Sequence, residues 1–170
     1  PRKFIKNWKI DDLLTDVTNL PSGRSFDVGK RMFTTATCIQ CHRFGNIGGI
    51  LGPDITGAAR RYSPPVLLRE IIAPSVQVSA QFKTHSIITL QGKIYQGRIL
   101  DQNDKQLTVA IDPKAPSAVI ELQADDIDEI LPSKTSMMPL GLLNTLTREE
   151  ILDLLAYIQS GGNPDHELFK

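Results

Sequence analysis

The 170-residue chain carries 19 basic and 19 acidic residues and is 41% hydrophobic, which suits one globular domain, or one domain with a sizeable insertion, around a real core. Its formal net charge of zero gives no general attraction to nucleic acid or to an anionic membrane, and no apolar run approaches the ~20 residues that span a bilayer. The chain opens Pro1-Arg2-Lys3-Phe4, as an excised domain or a mature product would, with any targeting segment outside it.

Residues 1–22 form an N-terminal helical segment or linker. Phe4, Ile5, Trp8, Ile10, Leu13, Leu14 and Val17 stand among charges, and from Ile10 onward their spacing suits an amphipathic helix. Trp8, the only tryptophan, is a packing residue on this pattern. After the break at Pro21-Ser22-Gly23, Ser25 is placed to cap a helix from about Phe26 to Ala36, with Asp27 in its first turn. Gly29 and Phe33 share a face, so a partner helix can approach at the glycine while the phenyl ring fills the adjoining hole.

Cys38-Ile39-Gln40-Cys41-His42 is a C-x-x-C-H motif. Two thiols at that spacing can add across the two vinyl groups of haem b, and the adjacent histidine then reaches the iron, so Cys38 and Cys41 read as covalent haem anchors and His42 as an axial ligand. A zinc site is poorly supplied by two cysteines and three scattered histidines (His42, His85, His166). A thioredoxin-like pair would want a strand before it and a regular helix after it, whereas Arg43 to Gly57 is glycine-rich and loop-like. Arg60, Arg61 and Tyr62 follow, either as a solvated basic turn or as partners of a haem propionate. Ser63-Pro64-Pro65 then opens a short helix to Ala73, whose Leu67, Leu68, Ile71 and Ile72 form the buried side.

From about Ala80 to Leu131 the period becomes two. Ile88 and Leu90, then Tyr95, Gly97 and Ile99, then Leu107, Val109 and Ile111, then Ala118, Ile120 and Leu122 alternate, with turns at Gln91-Gly92 and Asp101 to Asp104. Four or five short antiparallel strands are expected, as an insertion spanning 80–131. Beyond it, Met137 and Met138 stand on a loop, Thr147-Arg148-Glu149-Glu150 is a capping box, and Ile151, Leu154, Leu155 and Ile158 are the stripe of a last helix ended by Gly161-Gly162.

A terminal helix pair around a C-x-x-C-H motif resembles class I cytochromes c. The combination of Cys38 to His42, Gly52-Pro53-Asp54-Ile55-Thr56-Gly57, Ile72-Ala73-Pro74-Ser75, the β-rich insert and Ser136 to Leu143 is similar to the haem-binding domain of Planctomycetes and Verrucomicrobia, over about Gly23 to Gly161. The resemblance implies a mainly α cytochrome c fold in 23–79 and 132–170, with an inserted small antiparallel β subdomain. It also implies one covalent haem c, a Pro53 carbonyl that accepts from His42 Nδ1, and Met138, in its Met-Pro setting, as the distal sulfur ligand. Phe33 stands five residues before Cys38 where the wider class has four.

The expected function is electron transfer through a His42/Met138 haem, not catalysis. Its redox partners would be proteins, including a dehydrogenase domain upstream, and its location periplasmic or otherwise exported. Two other readings stay open: a haem enzyme or sensor with a labile distal ligand, peroxidase-like, which would want a distal acid–base residue although His85 lies on the expected insert with nothing to place it near the iron, and an interaction module in which the β insert binds and the haem is structural.

Overall fold

The computed structural model describes residues 2–113, 115 and 117–170. The chain folds as two compact units, Pro1–Pro74 with Leu140–Lys170, and Ser75–Pro139. The expected mainly α architecture does not hold. The chain is mixed, 33% helix and 20% strand, with a five-stranded antiparallel sheet as the largest regular element. The helices that the motif suggested are short: α1 (Leu14–Thr18), α2 (Phe26–Thr35), α3 (Cys38–Cys41), α4 (Pro64–Ile72) and α5 (Arg148–Gln159). Naming the class from the motif-bearing part undercounts the strands, because the sheet is an entire folding unit with its own core. The unit boundaries, at Pro74/Ser75 and Pro139/Leu140, lie outside the 80–131 segment that strand periodicity marks.

In the first unit, α2 and α5 cross with almost no separation at Gly29. A Cβ there would lie 2.3 Å from the Asp153 carbonyl oxygen and 2.7 Å from Tyr157 Cβ, so only glycine admits this approach. Both helices start on side-chain caps. Ser25 Oγ accepts from the Val28 amide at 3.3 Å, and Thr147 and Glu150 form the reciprocal capping box. Gly161, with φ 63°, lets the chain leave α5. Ser63 stands at the N-cap of α4, with Pro64 at the first helical position, but its side chain makes no capping bond.

The N-terminal segment packs within this unit. The expected helix from Ile10 is a 3₁₀ turn, Ile10–Asp12, followed by the five residues of α1, with Leu13 and Val17 fully buried. Trp8 is buried and donates its indole N–H to the Leu146 carbonyl at 3.0 Å. A two-stranded ribbon, β1 (Arg43–Phe44) and β2 (Ile47–Gly48), turns at Gly45, φ 61°.

The second unit contains β3 (His85–Thr89), β4 (Ile94–Gln102), β5 (Gln106–Ala110), β6 (Val119–Gln123) and β7 (Ile127–Pro132), in the order β6-β5-β4-β3-β7. β6 and β7 lie at opposite edges, yet only the 3₁₀ turn Ala124–Asp126 joins them. A flat sheet would separate these edges by about 19 Å, and a link of this length reaches only about 14 Å, so the sheet must curl towards a barrel. Ile87, Leu107 and Val109 fill its inside, with Tyr95, Ile99, Ile120, Leu122, Ile127 and Ile130 around them. In β3 the buried phase is Ile87 and Thr89, not Ile88 and Leu90; Leu90 is 62% exposed. Ile87 and Ile88 are neighbours of one type, so alternation fits either phase, and the pairing with Tyr95 and Ile130 decides it. The two ends of the unit meet where the Ser136 amide donates to Ser75 Oγ at 3.0 Å. Among the described residues no helix is long and apolar enough to cross a membrane.

Candidate functional site

The C-x-x-C-H motif begins on a strained residue. Thr37, exposed and β-branched, has φ 59°, the only positive value at a described residue other than glycine. That turn lets α2 stop at Ala36 and α3 restart at once in a new direction. α3 is a single turn, so Cys38 and Cys41 lie on one side of it, and His42 leaves it extended, φ −102° and ψ 132°. Cys38 is buried and Cys41 half-buried, and both are thiols. Burial pushes the Cys38 thiol up to about 12 and raises that of Cys41 as well, so neither is the activated thiolate that a disulfide-exchange centre needs.

The loop after His42 folds back onto the motif. The amides of Gly49 and Gly52 donate to the carbonyls of Ile39 and Cys41 at 3.0 and 2.8 Å, and the Ile55 amide to that of Arg43 at 2.9 Å. The glycines of this loop serve the motif itself. A Cβ on Gly48 would lie 2.0 Å from the His42 carbonyl oxygen, one on Gly49 2.1 Å from that of Gln40, and one on Gly52 2.7 Å from His42 Cε1.

His42 is held by this loop. Its Nδ1 lies 2.8 Å from the Pro53 carbonyl oxygen. A carbonyl only accepts, so Nδ1 carries the proton. Burial holds the imidazole below its usual pKa, with the bond to Pro53 opposing this in part, so at neutral pH the ring is neutral and Nε2 presents a lone pair. That is the tautomer a metal-ligating histidine needs.

Beneath the motif lies a cluster that sequence inspection did not assemble. Phe44 stacks at 5.3 Å from Phe33 on α2 and 5.1 Å from Tyr157 on α5, and Phe26 packs edge-on to Tyr157 at 5.3 Å. Phe44 is two residues after His42, so the crossing of α2 and α5 fixes the height of the whole motif. Each such ring pair contributes about 0.5–1.5 kcal/mol beyond its area. An aromatic beside a C-x-x-C-H motif was the available signal.

The remaining sequence candidates make contacts of their own. Arg61 donates from Nη2 to the Asp54 carbonyl at 3.0 Å and lies over the Tyr62 ring. Arg60 folds against Gly57, and Tyr62 is 41% exposed, with its carbonyl taken by Gln159. Met138 and Met137 are half-buried in the second unit, where the Met138 amide donates to Ser136 Oγ at 3.1 Å. His85 is on β3 of that unit.

The donor set fits a haem better than a single ion. Cys38, Cys41 and His42 form no three-donor group able to hold one ion, with each other or with any other described Cys, His, Asp or Glu. A haem instead asks three separate points of the motif: two sulfurs for two vinyl carbons, and one imidazole nitrogen for the iron. No family model matches the chain, and no curated protein is significantly similar to it.

Proposed function

We propose that this chain is an electron-transfer protein carrying one haem c, held through thioether bonds at Cys38 and Cys41 and ligated by His42 Nε2. The observation that carries the reading is the His42 imidazole, fixed by Pro53 as the Nδ1–H tautomer beside two thiols on one helical turn. When bound, the haem supplies a one-electron Fe(III)/Fe(II) couple. The protein's part is to orient the imidazole through Nδ1–H···O=C, which raises its donor strength.

Met138 is the proposed sixth ligand, on the strength of its Met-Pro sequence setting. With the haem bound, a Met138 thioether together with the His42 imidazole would favour the reduced state more than two imidazoles would, so a fairly high potential is expected. Arg60, Arg61 and Tyr62 are proposed to meet a propionate, for which Arg61 would give up its bond to Asp54. By the same resemblance, electrons arrive from a fused or partner dehydrogenase on the exported side of a membrane, through a small and transient contact.

The test is a visible spectrum of both oxidation states with a redox titration, on protein co-expressed with haem-attachment machinery. Wild type and Met137→Leu should show the sulfur-to-iron charge-transfer band. Met138→Leu should lose it and have a lower potential. The reverse pattern would move the ligand to Met137, and high-spin wild-type iron would reject methionine ligation.

A further inference from the structure

In the second unit the outward face of the sheet is apolar where a solvent-facing sheet is ordinarily polar. In β3 the side chains of Ile87 and Thr89 turn inward, so Ser86 and Ile88 turn outward. Ile88 stands opposite Ile94 of β4 on one side and Glu129 of β7 on the other, and residues directly opposed in an antiparallel pair share a face. One row away, Leu131 stands opposite Ser86 on that same face. Leu90 lies just past the last pair of the β3–β4 ladder, with its amide on the Asp126 carbonyl at 2.9 Å. Ile94 is 68% exposed, Leu90 and Leu131 are exposed as well, and Ile88 is half-buried beside them. Isolated exposed apolar side chains are ordinary, and a cross-strand isoleucine pair can serve the sheet alone. Four that adjoin, two of them outside that pair, make a patch.

The patch has a sign. Asp126 and Glu129 flank it, and they belong to a run in which Glu121, Asp125, Asp126, Asp128 and Glu129 are all exposed, with no lysine or arginine between residues 115 and 133. Among the described residues none of these five carboxylates is in a salt bridge. Lys93 turns to the other face, where its Nζ lies 5.7 Å from the centre of the Tyr95 ring. Arg98 is four residues along β4 from Ile94, and so about 13 Å away, and is stacked over Phe82 at 4.4 Å. An acidic rim repels an anionic membrane, a nucleic acid and a second copy of the same face, and it favours a cation beside an apolar anchor.

We propose that Ile88, Leu90, Ile94 and Leu131 form a docking surface for a basic protein partner, one that presents apolar side chains flanked by lysine or arginine, with Asp126 and Glu129 as the acidic rim. The apolar centre supplies the buried area of the contact, and the rim selects the partner's sign and speeds the encounter. The surface lies wholly within Ser75–Pro139, so the inference stands apart from the haem reading and does not fall with it.

The probe is a fluorescent peptide alternating valine and lysine, titrated with the whole chain and followed by anisotropy. Wild type should bind it, more weakly as salt rises, and should not bind the same peptide with glutamate in place of lysine. Leu90→Ser combined with Ile94→Thr should weaken binding on the order of ten-fold. Asp126→Asn combined with Glu129→Gln should weaken it on the order of five-fold and remove most of the salt dependence. Val76→Thr, at a residue 76% exposed before the sheet begins, should leave binding unchanged. The charge variants remove no apolar packing, so they decide the matter if the apolar variants fail to fold. A wild-type chain that ignores the lysine peptide, binding unaltered in both double variants, or equal weakening by Val76→Thr would overturn the proposal. Two further results would also overturn it by naming another occupant: a wild-type dimer in sedimentation that Leu90→Ser with Ile94→Thr turns into a monomer, or binding to phosphatidylserine vesicles that the same variant loses.

Discussion

Replacing Gly52 by alanine tests whether the loop, and not the motif alone, sets the histidine. The added Cβ would lie 2.7 Å from His42 Cε1, 2.9 Å from Nδ1 and 3.1 Å from Nε2, all closer than ordinary contact. The ring must turn away, and the 2.8 Å bond from Nδ1 to the Pro53 carbonyl goes with it. Overpacking of this kind costs about 1–3 kcal/mol and the lost hydrogen bond about 1 kcal/mol, partly overlapping, so a loss of about 2 kcal/mol is expected. Gly57→Ala is the matched control. Its backbone φ is −98°, and the new Cβ would meet only the movable end of the Arg60 side chain, at 3.1 Å. There alanine should be neutral, or stabilise by about 0.4–1 kcal/mol through the unfolded chain. Denaturant titration of both variants measures the stability difference, and the spectrum of the haem-loaded protein reports the ligand. Gly52→Ala should be less stable and have weakened low-spin character. Equal stability in the two variants, with an unchanged spectrum, would refute the claim that Gly52 and Pro53 position His42.

Three other predictions follow from the packing. Ile87→Ala should cost about 2–5 kcal/mol as a fully buried residue of the sheet and Ile88→Ala distinctly less, by denaturant unfolding; the opposite order would restore the other strand phase. Thr37→Gly should raise stability by about 0.5–1 kcal/mol, because relief of a left-handed conformation exceeds glycine's greater backbone entropy, and a lowered denaturation midpoint would show that the threonine side chain contributes more than its strain costs. Burial alone would raise the Glu150 carboxyl, but Arg2 and the Thr147 cap outweigh it and hold it below 4.5. Its contribution is therefore present above the unfolded value and lost as pH falls through the folded one, so Glu150→Gln should flatten the acid limb of a stability–pH curve while wild type declines there.

What was legible in the sequence was mostly local. Ser25 and the Thr147–Glu150 box act on amides within three residues, and the Gly29/Phe33 pair needs only a helical period, so all three appear at their expected places. The C-x-x-C-H turn is likewise a short-range pattern. Fold class was not legible, because it depends on the weight of a sheet whose strands pair far along the chain and curl around Ile87, Leu107 and Val109. The phase of β3 was hidden by two adjacent isoleucines. Asn144 and Trp8 gave no periodic signal, since their partners lie more than 130 positions away. The propionate role expected of Arg61 ran against a local competitor, the Asp54 carbonyl, that no spacing rule displays.

The central claim is that Cys38 and Cys41 carry one covalent haem. The most direct measurement is the intact mass of the protein, purified under denaturing conditions after co-expression with haem-attachment machinery, together with that of Cys38→Ser and Cys41→Ser. The account predicts the polypeptide plus one haem for wild type, retained through denaturation, and incomplete retention in either serine variant. A folded, colourless wild-type protein with the mass of the bare polypeptide would contradict it.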